Sequence, residues 1–229
     1  METNTPHEIA FQLFMDEKFD ELKSFLTPFL KDSEAWAQVL MGYCYQGGNG
    51  VEADRSIARH YFELAANQHD PQGQLLFGHM LLVEGELRQG RHLLENAYEA
   101  GYPAAANYIA QSYFSESVDP SSEAYGEGII WLQRAAEGGV LDAMHQLGWV
   151  IGERGDDESL AEALNWYEKA AELGSENSAQ NAGLAYANGR GTDVDYEKAR
   201  HYYAIAAEAG LTNALHNLGV LYCEGKGGD

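Results

Sequence analysis

The sequence predicts an all-α fold, a solenoid of stacked helix pairs, on three observations. A small residue recurs six times at nearly one spacing: Gly42, Gly78, Ala110, Gly148, Gly183 and Gly219 are 36, 32, 38, 35 and 36 residues apart. Each keeps the same company, with a small residue five positions earlier (Ala37, Gly73, Ala105, Ala143, Ser178, Ala214) and a large one three later (Tyr45, Leu81, Tyr113, Ile151, Tyr186, Tyr222). Between these anchors lie two stretches of helical periodicity, usually parted by a glycine-rich break. Self-similarity at a period of ~20–50 residues marks units that bury their apolar faces only against neighbours.

The elements follow in order. Residues 1–34 do not match the period, but Phe11, Phe14, Phe19, Leu22, Phe25 and Leu26 fall on amphipathic stripes. A helical pair capping the first repeat is expected there, broken or kinked at Pro28. The repeat array is expected over 35–229, as about five full units and a final half unit. The first unit reads AQVLMGYCYQGGNGV, then Asp54, then ARHYFELAANQHDP. The second keeps GRHLLENAYEAGYP but has a linker about four residues shorter, and the third gains two in SESVDPSSEAYGE. The fourth pairs DAMHQLGWVIGERG with ALNWYEKAAELGS.

The fifth is the most regular. Ser178, Ala182, Gly183 and Tyr186 share one helical face, and the run NGRG at 188–191 ends that helix because Asn and Gly tolerate the left-handed conformation. Asp195 stands where a carboxylate can accept the orphan N–H groups of the next helix, which carries Ala199, Tyr202, Tyr203, Ala206 and Ala207 and stops at Gly210. The sixth unit, NALHNLGVLYCEGKG, has only a first helix.

The recurring phrase small-x-x-x-[LM]-G-x-x-Y, G-x-G-[VT]-x-x-D, A-x-x-[WY]-[YF]-x-x-A-A resembles the Sel-one-like repeats, relatives of the tetratricopeptide repeats. It is carried by Ala37, Met41, Gly42, Tyr45, Gly48, Gly50, Val51, Asp54, Ala58, Tyr61, Phe62, Ala65 and Ala66 in the first unit. The fifth carries it in Ser178, Gly183, Tyr186, Gly189, Gly191, Asp195, Ala199, Tyr202, Tyr203, Ala206 and Ala207. The second and third units lack the G-x-G. The resemblance covers 35–229 and implies a right-handed α/α superhelix of antiparallel helix pairs. It further implies protein–protein binding in adaptor or assembly roles, with the first helices lining a concave face. A subgroup of the family staples each repeat with a cysteine pair; this chain does not.

Positions three before and one after each anchor are four apart, on one helical face off the expected buried stripe. They read Val39 and Tyr43, Leu75 and His79, Asn107 and Gln111, His145 and Trp149, Gln180 and Leu184, His216 and Val220. Amides, imidazoles and two aromatics suit an extended peptide backbone with large anchors. The expected partner-binding residues are therefore Tyr43, His79, Asn107, Gln111, His145, Trp149, Gln180 and His216. The competing reading of the same row is helix packing, with the partner on an edge or the convex side. Lys and Arg are absent from it, which disfavours capture of a C-terminal carboxylate.

Composition narrows the partner. With 36 acidic residues against 14 basic, the chain carries net charge −22, and residues 112–176 hold 14 carboxylates and three cations, net −11. Nucleic acid and anionic membrane surfaces are disfavoured, since both reward Lys and Arg. A protein or peptide, basic if charged, is the expected partner. The charge also serves simply as a solvated surface. The segment METNTPHEIAFQLF lacks a cationic start and the apolar run of about 7–15 residues of a signal peptide, and no stretch approaches the ~18 apolar residues of a membrane span. Two cysteines, Cys44 and Cys223, five repeats apart, are expected as free, packing thiols, and the compartment as the reducing cytoplasm, or the periplasm or exterior if a signal peptide has been removed.

No catalytic site, metal or cofactor is expected. His60, His92 and His201 share one repeat position, so architecture accounts for them. His79, His145 and His216 sit in different helices without the i, i+4 pairing of a helical metal site. DVDYEK at 193–198 lacks the sixth-position glycine of a calcium loop, leaving Asp195 as a cap. The expected function is a non-enzymatic scaffold binding its partner on the concave face. The alternative is a bacterial immunity-type protein that occludes a cationic toxin with the acidic surface of 112–176.

Overall fold

A computed structural model describes residues 4–228; residues 1–3 and 229 of the spans expected above lie outside the described residues. Thirteen helices and no strands are present among the described residues. The chain divides into two compact units, residues 1–112 and 113–229.

In the first unit the helices are α1 (Pro6–Met15), α2 (Phe19–Lys31), α3 (Ala35–Gly47), α4 (Arg55–Asn67), α5 (Pro71–Val83) and α6 (Leu87–Glu99). Helix α7 (Ala104–Glu116) crosses the boundary. The second unit contains α8 (Glu123–Glu137), α9 (Leu141–Gly152), α10 (Asp157–Glu172), α11 (Glu176–Asn188), α12 (Tyr196–Glu208) and α13 (Thr212–Cys223). Odd-numbered helices lead each pair and even-numbered ones trail. Within each unit helices next to one another in sequence pack together, as in α3–α4–α5–α6 and α9–α10–α11–α12–α13.

The anchor residues set how closely a pair can approach. A Cβ built on Gly183 of α11 would lie 2.7 Å from Tyr203 Cδ1 of α12, and one on Gly148 of α9 would lie 2.8 Å from Tyr167 Cε1 of α10. One on Gly42 of α3 would overlap the Phe62 ring of α4, which is wholly buried. Each of these glycines is thus the seat of a ring from its own trailing helix. The large residue three positions on closes the same interface from the side. Tyr45 stacks on Tyr61 at 5.9 Å and 16°, and Tyr186 on Tyr202 at 5.9 Å and 1°. Tyr186 and Tyr202 both donate to Glu168 Oε1, at 2.6 and 3.1 Å, tying α10, α11 and α12 together.

The linker motif also has a mechanical reading. Gly48 and Gly189 end their helices in the left-handed conformation, at φ 72° and 67°. The second glycine of each G-x-G, Gly50 or Gly191, again has positive φ and meets the trailing helix of the previous pair: Gly50 lies against Phe19 of α2, Gly191 against the Leu160–Ala161 backbone of α10. A side chain would be excluded at both on conformation and on space. Asp54 then accepts from Ser56 N and Ile57 N at 2.8 and 3.0 Å, and Asp195 from Lys198 N at 3.0 Å, the expected caps.

Helices α1 and α2 obey the same rules as the pairs that follow. Ala10 and Leu26 are wholly buried in one cluster with Leu22, Ala37, Leu40 and Cys44. The Gly50–Phe19 contact puts α2 where α10 stands for Gly191. Ala10 lies 32 residues before Gly42, the same interval as Gly78 to Ala110. The helix expected to be broken or kinked at Pro28 is not broken there and continues to Lys31. Proline removes the N–H that would bond the carbonyl four residues back and crowds that carbonyl, and at Pro28 the lost bond falls in the last turn of the helix. Of the two thiols expected to pack, Cys44 is buried and Cys223 is exposed. Cys223 follows the anchor Gly219 on α13, after which no further helix lies among the described residues.

Gly219 provides an internal control, because a Cβ there would meet nothing within 4 Å. Gly183→Ala should therefore cost about 1–3 kcal/mol by overpacking against Tyr203. Gly219→Ala should gain about 0.5–1 kcal/mol from helix propensity. Urea unfolding midpoints of the two variants should move in opposite directions, and a shift of the same sign would refute the ring-seat account.

Candidate protein-binding face

The eight candidate residues lie on leading helices, four in each compact unit. In the first unit Tyr43 is half-buried. Its hydroxyl accepts from Gln72 Nε2 at 3.3 Å, and its ring meets Phe62 edge-on at 5.6 Å and 73°. Burial raises its phenol pKa above the ordinary value. His79 stacks on Tyr108 at 4.1 Å and 22°, and burial, reinforced by Arg55, lowers its pKa. Gln111 is exposed. The face is not uniformly open, however. Val39 is 2% exposed and Asn107 8%, with the Asn107 Oδ1 atom buried and without a hydrogen-bond partner.

Helix α1 adds to this face in a way the sequence reading missed. Three before and one after Ala10 stand His7 and Phe11, the same register as the other pairs. They line a cavity of about 810 Å³, open mouth included, with Trp36, Val39, Tyr43 and Gln72. His7 lies 5.5 Å from Trp36, and Phe14 lies 6.2 Å from Tyr43. The interval from Ala10 to Gly42 was the available signal.

In the second unit His145 Nδ1 sits 3.1 Å from Ser178 Oγ, linking α9 to α11. Its ring is 5.7 Å from Tyr167, and burial lowers its pKa against the opposing pull of Asp142 and Glu176. Trp149 is 57% exposed and Leu184 40%. Between them opens a cavity of about 650 Å³, mouth included, lined also by Leu160, Tyr167, Asn181 and Arg190. Asn181 hydrogen-bonds Tyr167, whose phenol burial pushes up to about 12. Gln180 is half-buried and His216 exposed. The structure brings His145, Trp149 and the flank of α11 together around Tyr167, while His216 stands apart from that cavity on α13.

Among the described residues no three His, Cys, Asp or Glu side chains converge as a metal site, and no helix is long and apolar enough to cross a membrane. What the leading helices present on this face is a set of ring, amide and imidazole groups on a helical support.

The arrangement defines a solenoid-type repeat protein, all-α and built of consecutive antiparallel helix pairs. The Sel1 repeat profile matches residues 37–70, 103–140, 141–175, 178–211 and 212–229, and the chain belongs to the Sel1 repeat family. The unmatched stretch 71–102 contains α5 and α6, joined by three residues instead of the G-x-G linker. A Sel1 repeat protein from Oxalobacter formigenes is 28% identical, with TM-score 0.78, over 96% of this chain and 91% of that one. A protective antigen of uropathogenic Escherichia coli with an SLR fold is 23% identical, with TM-score 0.79, over 98% of this chain; the present chain spans 50% of the antigen's length. An immunity protein from Pseudomonas aeruginosa shares the fold at 16% identity and TM-score 0.58, over 91% of this chain and 84% of that one. No curated protein sequence matches the chain. The Sel1 repeat fold is typically a non-catalytic scaffold for protein interaction.

Both partly buried histidines have a consequence for stability. Their folded pKa values lie below the ordinary 6.5, so the unfolded chain takes up protons first as pH falls. The stability due to the neutral rings is then present above about 6.5 and lost as pH falls below it. Between about pH 7.5 and 5.5 the urea midpoint of the wild type should fall relative to that of a His79→Gln, His145→Gln double variant. Parallel pH profiles of the two proteins would show that neither ring is held neutral by the fold.

Proposed function

We propose that the chain is a non-enzymatic adaptor that holds a protein or peptide partner on the leading-helix faces of its two units. The contacts are assigned to Tyr43, His79, Asn107 and Gln111 in or beside the first unit, and to His145, Trp149, Gln180 and His216 in the second. The observation that carries this reading is Trp149. A large aromatic is left 57% exposed on a helix whose other apolar residues are largely buried, the profile of an interface anchor. The partner is read as a protein or peptide rather than nucleic acid or membrane because of the −22 charge. The two unpaired thiols favour a reducing compartment such as the cytoplasm.

A second reading rests on a different feature, the −11 charge of residues 112–176, most of whose carboxylates are exposed. A protein that neutralises a cationic toxin would use such a surface, with nanomolar affinity and steep loss of on-rate in salt. The two readings part on a purified complex with the native partner. In the adaptor reading Trp149→Ala and Gln111→Ala each weaken the complex by at least ~10-fold. Glu158→Gln and Glu162→Gln, on exposed positions of α10, then alter only its salt dependence. The reverse pattern would move the interface to the acidic surface, and indifference to all four substitutions would exclude both faces.

A further inference from the structure

The residue after the anchor packs on the seated ring in one unit and stands clear of it in the other. In the first unit Phe62 seats on Gly42, and Tyr43, one residue after the anchor, lays its ring edge-on over Phe62 at 5.6 Å. Gln72 holds the Tyr43 hydroxyl, and Phe14 flanks its ring at 6.2 Å. In the second unit Tyr167 seats on Gly148 in the place of Phe62, and Trp149 stands in the place of Tyr43. Trp149 makes no ring contact with Tyr167 and remains at the rim, 57% exposed. Beside Trp149 lies the 650 Å³ cavity, with Tyr167 among its lining residues. Its walls are mostly apolar (Trp149, Leu160, Leu184), and the Tyr167 hydroxyl is already engaged by Asn181.

The surroundings are acidic. Glu153 lies on the cavity wall, and Asp156 caps and Asp157 begins α10, the helix that also supplies Leu160 to that wall. Arg190 on the wall and Arg154 beside it are the opposing cations. A neutral apolar side chain gains by entering such a cavity, and positive flanking residues gain from the field around its mouth.

We infer that the cavity between α9, α10 and α11 is the anchor pocket for a basic peptide segment, taking one aromatic or large aliphatic side chain between lysines or arginines. This rests on the reading of the leading-helix face as a partner-binding surface, and it names the chemistry of that partner. The side chain would complete over Tyr167 the ring contact that Tyr43 makes over Phe62.

The test uses the full chain and three capped pentapeptides, Lys-Lys-Phe-Lys-Lys, Lys-Lys-Ala-Lys-Lys and Glu-Glu-Phe-Glu-Glu, titrated by calorimetry at low salt. The Phe peptide should bind at least ~10-fold more tightly than the Ala peptide, as burial of one ring implies. The Glu peptide should not bind. Ala185→Leu, which narrows the cavity from its wall, and Trp149→Ala, which removes its rim, should each weaken the Phe peptide by ~10-fold with helical content unchanged by circular dichroism. Equal binding of the Phe and Ala peptides, equal binding of the Phe and Glu peptides, wild-type binding by Ala185→Leu, or no binding by any peptide would each overturn the inference. Failure here is separable from failure of the broader reading. If Gln111→Ala and His216→Ala weaken the native partner while Ala185→Leu does not, the face stands and the pocket does not.

Discussion

Everything in this chain depends on how closely a leading helix can approach its own trailing helix at one small residue. Glycine inside a helix costs about 1 kcal/mol relative to alanine. Burying a Phe or Tyr ring against it returns about 1.5–3 kcal/mol, so the exchange favours glycine wherever a ring is seated. Gly42, Gly148 and Gly183 each have such a ring. At Gly78 the seated group is Leu94, whose Cγ would lie 2.9 Å from an added Cβ, so an aliphatic side chain claims the same space. The period of the sequence is therefore the period of a steric requirement, and each pair reproduces it independently of its neighbours.

Pairs are joined by a second close approach, made by the linker rather than the helices. The second glycine of G-x-G rests on the trailing helix of the preceding pair, as Gly50 does on α2 and Gly191 on α10, and Gly227 repeats the contact on Tyr196 of α12. One short segment thus ends a helix, packs backwards and presents the Asp cap of the next helix. Where that segment is shortened, between α5 and α6, the pair still forms, because Leu94 and Gly90 supply the interface directly. The linker sets how one pair meets the previous one, whereas the anchor sets the pair itself.

This division explains what could be read from the residues alone. Anchors, caps and G-x-G turns are local in sequence, and the structure places Asp54, Asp195, Gly48 and Gly189 as their types demand. The pair α1–α2 was harder to see because its interface uses Leu22, Phe25 and Leu26 in place of the Ala and Tyr of the later repeats. Only the 32-residue interval from Ala10 preserved the signal. Burial along the candidate face was not legible either. Val39 and Trp149 lie on the same face of their helices, yet one is 2% and the other 57% exposed. That difference is decided by neighbouring helices: the side chains of α1 flank Val39, and no comparable ring covers Trp149.

The candidate site follows from the same logic. In the second unit the cavity lies where the residue after the anchor, Trp149, stands off the ring seated on Gly148. The exchange of Phe62 for Tyr167 keeps the ring on its glycine and adds a hydroxyl that Asn181 satisfies. The exchange of Tyr43 for Trp149 removes the covering ring from that position. Neither substitution disturbs the helix pair, because the glycine seat is unchanged. The glycine seat and its ring are thus kept while the residue beside the anchor changes from the half-buried Tyr43 to the exposed Trp149.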